Sequence, residues 1–340
     1  MPRKTKMNSI TSPELLEQVN PDNKTLLTDF LNYMKSIKRS TGTCNGYKND
    51  LEIFFVWVLQ NAGNKNFTKV TKRDIIAFQN WLVYDNENSP ARVRRIKAAI
   101  SSLSNFVENI LADEDDEYEN FRSIVRKIEN PQLQAVREKT VWEDSELEGL
   151  LDKLVDMKRY EQACFVAVGM YGGRRKSEIC RFRVTDFDDD KLICDGALYK
   201  SEPILTKGNK YLECYTLAKK VKPYLDLWMN DRKEKGIESE WLFPDPNDPS
   251  NMLKGSTVNS WSVTFSRLTG RDFYPHALRH RFVSYLAREG IPDNVVVQIL
   301  GWSSSEMFNV YNDNSKDDTI GMYFKDGEIA TSDKKGFGDL

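Results

Sequence analysis

Apolar residues recur at helical spacing through the first third of the chain. Leu26, Leu27, Phe30, Leu31 and Met34 predict a helix over 24–38, and Leu51, Phe54, Phe55 and Val58 predict a second over 43–59. Ile75, Ile76, Phe78 and Leu82 mark a third, with Thr71 placed as its N-cap. A fourth opens at Ser89-Pro90, a capping residue followed by proline at the first helical position, where the missing N–H has no intrahelical partner to lose. No stretch before residue 111 alternates with the period of a strand. Residues 22–111 therefore read as an all-α domain, preceded by a polar arm over 1–21 with little periodicity.

Six of the seven residues from Asp113 to Glu119 are acidic, too charged to bury, and they mark a linker over 112–140 that holds a short helix at 121–128. A second domain over 141–325 begins at Trp142, with Ser145 and Glu148 spaced as a capping box for a helix to Val155. An apolar helix over 160–181 is broken by Gly172-Gly173. Leu192–Cys194, Pro203–Thr206 and Tyr211–Thr216, separated by Asp195-Gly196 and Gly208-Asn209, read as a small antiparallel sheet. Tyr224, Leu225 and Trp228 sit on another helix, residues 241–246 form an aromatic-anchored turn, and a helix over 258–268 leads to a stretch spanning 276–311. A tail follows at 326–340. The fold class is mainly α, a four-helix domain followed by a mainly helical domain with a minor antiparallel sheet.

Composition narrows the classes. The densest apolar run, FFVWVL at 54–59, is far short of a membrane span, and the basic N-terminus lacks the apolar segment of a secretory signal. Five cysteines, an odd number without a CxxC, read as reduced thiols of a cytoplasmic protein and not as a disulfide frame or zinc site. A net charge of −2 argues weakly against a nucleic-acid partner, yet the charge is segregated. Residues 1–110 carry sixteen Lys/Arg against ten Asp/Glu, and Arg92, Arg94, Arg95 and Lys97 crowd the first two turns of the fourth helix. Those four form either a solvated face or a DNA-contacting one, and composition leaves both open.

The chemistry gathers in the second domain. The chain has only two histidines, His276 and His280, and on a helix they share a face with Arg279. Their spacing suits zinc, but no glutamate lies between them and no third histidine exists, so no metal site is expected. An imidazole beside a guanidinium fork suits a phosphodiester. Attack by a tyrosine on such a bond needs loss of the phenolic proton, donors for the charge that builds on the non-bridging oxygens, and an acid for the leaving oxygen. Tyr311 is the candidate nucleophile. Arg279 and Arg175 supply guanidinium forks, with Arg174 beside Arg175 equally suited by chemistry alone. Lys207 at the hairpin tip can reach a groove, and Lys200 and Lys210 compete with it. His276 and the Trp302 indole add donors, and Ser303 and Glu306 are spaced to cap a short helix ending near Tyr311.

Taken in order, these residues resemble the tyrosine recombinase, or phage integrase, family. Arg175-Lys176-Ser177-Glu178 matches its Arg-x-Ser-Glu segment, Lys207 its hairpin lysine, His276 and Arg279 its His-x-x-Arg, Gly301-Trp302 its Gly-His or Gly-Trp pair, and Tyr311 its nucleophile nine residues on. The resemblance covers 141–325 by motif, and residues 22–111 resemble the family's SAM-like core-binding domain by length and pattern. It implies a site-specific DNA recombinase working through a 3′-phosphotyrosyl link without metal or nucleotide cofactor. It further implies double-stranded DNA sites as partners, a homo-tetramer in the synaptic complex, no membrane, and a location in the cytoplasm of a bacterial cell, for the host or its phage or mobile element. Arg175, Arg279, Lys207, His276 and Trp302 would serve Tyr311, with Glu178 and His280 in support. Arg92, Arg94, Arg95 and Lys97 would lie near the duplex. Trp302 stands where many members have histidine, and an indole donates a hydrogen bond but shuttles no proton. The same residues would suit a type IB topoisomerase-like relaxase, and the fold alone would suit a DNA-binding protein without chemistry.

Overall fold

The computed structural model describes residues 10–113, 118–132, 142–206, 210–312, 314, 324–325 and 328–329. The chain divides into two compact units, 5–138 and from 139 onward.

In the N-terminal unit the caps decide where helices start. α1 (Pro13–Gln18) is held by the Ser12 side chain, which accepts from the Leu15 N–H; it falls within the expected arm because six residues are too few to show a period. α2 (Pro21–Ser36) starts behind Asn20, α3 (Thr41–Asn61) behind Ser40 and α5 (Pro90–Asn109) behind Ser89, each cap side chain accepting a first-turn N–H. α4 (Lys72–Asn80) has a reciprocal box. The Thr71 hydroxyl accepts from the Asp74 N–H, and the Asp74 carboxylate accepts from the Thr71 N–H at 2.7 Å. It runs on as a π-helical turn over Trp81–Asp85. Phe54, Phe55, Phe67 and Phe78 meet edge-on or tilted at the centre of the core. The helix expected at 121–128 is a series of turns. Phe121, Ile124 and Val125 are nevertheless buried in this same core, and the Ser123 N–H donates to Glu108 at 3.1 Å.

The C-terminal unit starts with α6 (Asp144–Asp156). Its start lies at Glu143, whose N–H donates to Glu146 at 3.0 Å, and not at Ser145, which with Glu148 lies within the helix. α7 (Tyr160–Gly172) is apolar and buried almost all round, as a central helix must be, and ends on Gly173 in the left-handed conformation, φ +62°. α8 (Lys176–Ile179) follows. β1 (Leu192–Ile193), β2 (Leu198–Lys200) and, later, β5 (Tyr215–Leu217) form an antiparallel sheet in the order β1-β2-β5, while β3 (Ile204–Leu205) and β4 (Tyr211–Leu212) make a separate hairpin. The sequence reading missed β2, which is only three residues long. α9 (Ala218–Glu234) follows, and where a turn was expected, β6 (Pro244–Asp245) pairs with β7 (Asp248–Met252). α10 (Gly255–Thr269), α11 (His276–Arg288), α12 (Asp293–Leu300) and α13 (Glu306–Tyr311) complete the unit. The architecture is mainly α with small antiparallel sheets, and no described helix is long and apolar enough to cross a membrane.

Two glycines let α11 reach the site. A Cβ on Gly169 would meet Leu278 Cδ1 at 2.6 Å, so the missing side chain is what lets α11 lie close on α7. A Cβ on Gly173 would collide with the Phe282 ring. Phe282 is buried, and truncating a ring packed so closely costs about 3–5 kcal/mol.

Candidate active site

Helix spacing places His276, Arg279 and His280 on one face of α11, and α13 delivers Tyr311 to that face. His276 Nε2 and the Tyr311 hydroxyl are hydrogen-bonded at 2.6 Å. The His280 ring lies 4.5 Å from the Tyr311 ring, centroid to centroid, and the Trp302 ring 5.0 Å from it. The Arg279 guanidinium carbon sits 5.0 Å from the Trp302 ring centroid and 5.5 Å from that of Tyr311. Tyr311 is boxed in by four side chains and only 6 % exposed.

The positive charge is held by backbone carbonyls more than by counter-ions. Arg279, fully buried, donates to Gly173 O at 3.0 Å and to Leu300 O at 3.5 Å, and the Glu178 carboxylate lies 3.9 Å away. Arg175 caps α8: its N–H and its guanidinium both donate to Glu178, at 3.0 and 2.9 Å, and a third of its side chain stays exposed. Arg174, equally eligible by chemistry, is fully buried and donates to Ile299 O at 2.5 Å. Arg174 and Arg279 thus fasten consecutive carbonyls at the end of α12, just before the Gly301-Trp302 turn. Sequence reasoning treated Arg174 only as a rival to Arg175, and its tie to α12 carries no local signal.

Burial holds His276 down to about pKa 4, helped by His280, Arg279 and Arg175, so the ring is neutral at pH 7, and in the tautomer with its proton on Nδ1 the Nε2 atom accepts from the Tyr311 hydroxyl. Burial, and then Arg175, lowers Arg279 to about 10, which still leaves it charged. Several donors here lack a protein partner: Arg279 Nε, Arg174 Nε and Nη1, and Trp302 Nε1 are buried without a hydrogen bond. Orphaned buried donors are costly in a folded core, and an anionic oxygen is the ligand that would satisfy them.

Gly301, left-handed at φ +63°, ends α12, and a Cβ there would run into Leu212 of β4. The β3–β4 hairpin is therefore packed on the turn that carries Trp302. Lys207, assigned to the tip of that hairpin, lies outside the described residues. Thr206 and Lys210 close the hairpin just beside it, the Thr206 N–H donating to Lys210 O at 2.7 Å. Lys200, on β2, is tied to Glu213 at 3.0 Å in the link between β4 and β5, and Lys210 is exposed. The cap of α13 differs from expectation. Ser305 is its N-cap position, and the Glu306 N–H donates to the Ser304 hydroxyl at 3.1 Å, so the Ser303–Glu306 pairing does not form. Among the described residues no cluster of His, Cys, Asp or Glu is arranged to hold a metal ion.

The four basic residues of α5 lie in the other unit and divide into two pairs. Arg92 and Arg95 both reach the buried carboxylate of Asp50, Arg95 Nε at 3.1 Å. Arg94 donates to Pro131 O at 2.8 and 3.1 Å. Lys97 is 5 % exposed and gives its ammonium to Gln79, Ile128 O and Glu129 O at 2.7, 3.2 and 2.8 Å. The surface role expected of Lys97 does not fit that burial, because its donors are spent inside the fold.

The sequence and fold have known counterparts. Residues 141–318 match the phage integrase family, and residues 26–117 match the N-terminal SAM-like domain of phage integrases. The chain therefore belongs to the phage integrase family, the tyrosine recombinases. It is 27% identical over 290 residues to the SPbeta prophage-derived recombinase-like protein YomM of Bacillus subtilis, covering 84% of each chain. It is 25% identical to a tyrosine recombinase of Thermosipho africanus, covering 83% of this chain and 92% of that one. The fold also matches that of the XerH site-specific recombinase bound to its palindromic difH substrate, with TM-score 0.65 at 17% identity, covering 90% of this chain and 89% of the other.

Proposed function

We propose that the chain is a site-specific DNA recombinase that cuts and rejoins duplex DNA through Tyr311. The observation that carries this reading is the Tyr311 hydroxyl hydrogen-bonded to a neutral His276 beneath a buried guanidinium, in a box of unsatisfied donors. The phenolic oxygen attacks the scissile phosphorus while His276 Nε2 takes the phenolic proton. The P–O5′ bond breaks, leaving a 3′-phosphotyrosyl link and a 5′ oxygen that takes a proton from Lys207. Arg175, Arg279 and the Trp302 indole N–H donate to the non-bridging oxygens, where charge builds in the transition state. Glu178 holds Arg175 in place, and His280 holds the tyrosine ring. Attack by a 5′ hydroxyl from a second duplex reverses the step, so the phosphodiester energy is kept and no nucleotide is consumed.

Exchange between two duplexes calls for four nucleophiles, hence a homo-tetramer on two double-stranded sites. The lambda integrase solved as a tetramer on a Holliday junction, similar in fold at TM-score 0.61, supports that assembly by analogy. The test is covalent capture. Incubated in EDTA with nicked duplexes of randomised sequence, the chain should give an adduct that survives denaturation, with a free 5′ hydroxyl on the released strand. A reaction abolished by EDTA and restored by magnesium would contradict the metal-free scheme.

A further inference from the structure

Asp50, on α3, is fully buried, yet it has no counter-charge inside the core. Its two partners come from α5: Arg92 through Nη1 to Oδ1, and Arg95 through Nε to Oδ2 at 3.1 Å. The side chain of Arg92 is 28% exposed and that of Arg95 56%. Arg92 donates a hydrogen bond to the carboxylate, whereas Arg95 makes an ion-pair contact only and Oδ2 accepts no hydrogen bond. Each guanidinium has five N–H donors, so both forks keep donors that Asp50 does not use, more openly on Arg95 than on Arg92. Positions 92 and 95 lie three residues apart on one helix and therefore share a face. Gly46, one turn before Asp50 on α3, completes the arrangement. A Cβ there would stand 2.7 Å from Arg95 Nη2, so the Arg95 fork lies across α3 only because position 46 has no side chain.

We propose that Arg92 and Arg95 form a phosphate-binding fork for the backbone of duplex DNA, set in position by Asp50 and by the bare backbone at Gly46. The proposal rests on the DNA-recombinase reading above and assigns the contact to one pair among four basic residues. Arg94 and Lys97 bind main-chain carbonyls at 128–131 and hold that segment to α5. Two guanidiniums around one carboxylate leave a net positive charge with fixed geometry, which is what a phosphate selects. Asp50 and Gly46 are positioning residues, since neither would touch DNA.

The sign of one substitution separates positioning from bulk charge. Asp50→Asn makes the face more positive, so a field effect alone would tighten binding; loss of the clamp loosens it. Gly46→Ala supplies the second test. Only the flexible end of Arg95 must move, and alanine is the better helix former, so the fold is retained and its thermal midpoint should not fall. Gly42→Ala on the same helix is the control, because a Cβ there meets nothing within 4 Å. Titrated with a short mixed-sequence duplex across a salt series, Gly46→Ala and Asp50→Asn should each bind about fivefold more weakly, and Gly42→Ala like the parent. Arg95→Gln should flatten the salt dependence by about 0.9 in log–log slope, one phosphate's worth. Parent-like binding by Gly46→Ala, or tighter binding by Asp50→Asn, overturns the fork while parental adduct formation leaves the recombinase reading intact. A parent chain that binds no duplex at low salt overturns both.

Discussion

Tyr311 and His276, thirty-five residues apart in sequence, meet at 2.6 Å, and the imidazole is held neutral by its surroundings. An aromatic hydroxyl needs a base, and a histidine pushed to about pKa 4, by burial first and then by neighbouring His280, Arg279 and Arg175, is unprotonated at neutral pH. Burial does most to depress His276, and Arg279 and Arg175, which add to it, are also the groups placed to stabilise a phosphate.

That depressed value has a consequence for stability. An unfolded chain holds its histidine near pKa 6.5, so between pH 6.5 and about 4 the unfolded state binds the extra proton and the folded state does not. Stability is therefore complete above pH 6.5 and is lost as pH falls toward 4. His276→Gln should remove this part of the acid loss and slow strand cleavage by about 10²-fold or more. Thermal melts of both chains at pH 5 and pH 7.5 read the first effect. An unchanged difference between the two chains across that range would contradict a neutral, buried His276.

Trp302 offers a cleaner separation of packing from donation. Its indole N–H is buried without a partner, while its ring covers Tyr311 and Arg279. Trp302→Phe keeps an aromatic face and deletes an unsatisfied donor, so the free protein should melt within about 1 kcal/mol of the parent. Cleavage should fall by about tenfold or more, because the lost hydrogen bond forms only with the phosphate. Stability that collapses while cleavage per folded molecule holds would make Trp302 a packing residue only.

Arg175 is tied to Glu178 by one guanidinium nitrogen and by its own N–H. A lysine there keeps the charge but cannot bridge a carboxylate and a phosphate at once. Arg175→Lys should lower the cleavage rate by about 10²-fold while duplex affinity stays within about threefold. Equal losses in both would move Arg175 from chemistry to binding.

The order of residues made much of this site legible. His276, Arg279 and His280 follow from helix spacing alone, and the capped starts of α4 and α5 were visible in Thr71 and in Ser89-Pro90. Other features depend on tertiary contacts that no local pattern encodes. Chemistry alone did not separate Arg174 from Arg175, and only the Arg-x-Ser-Glu resemblance chose Arg175; the fold buries Arg174 and leaves Arg175 partly exposed. The burial of Asp50 depends on α5 packing over it and has no local mark in the sequence. Lys97 carried a signal that the charge count obscured: it sits among Val93, Ile96 and Ile100, on the apolar stripe of α5. The short strand β2 and the six-residue α1 were too brief to show any period.

The most direct measurement is mass spectrometry of the protein–DNA adduct after proteolysis, paired with the Tyr311→Phe chain on the same nicked substrates in EDTA. The account predicts a single modified peptide carrying a nucleotide on Tyr311, and no adduct from Tyr311→Phe. Adduct that persists in Tyr311→Phe, or that maps to another residue, would contradict it.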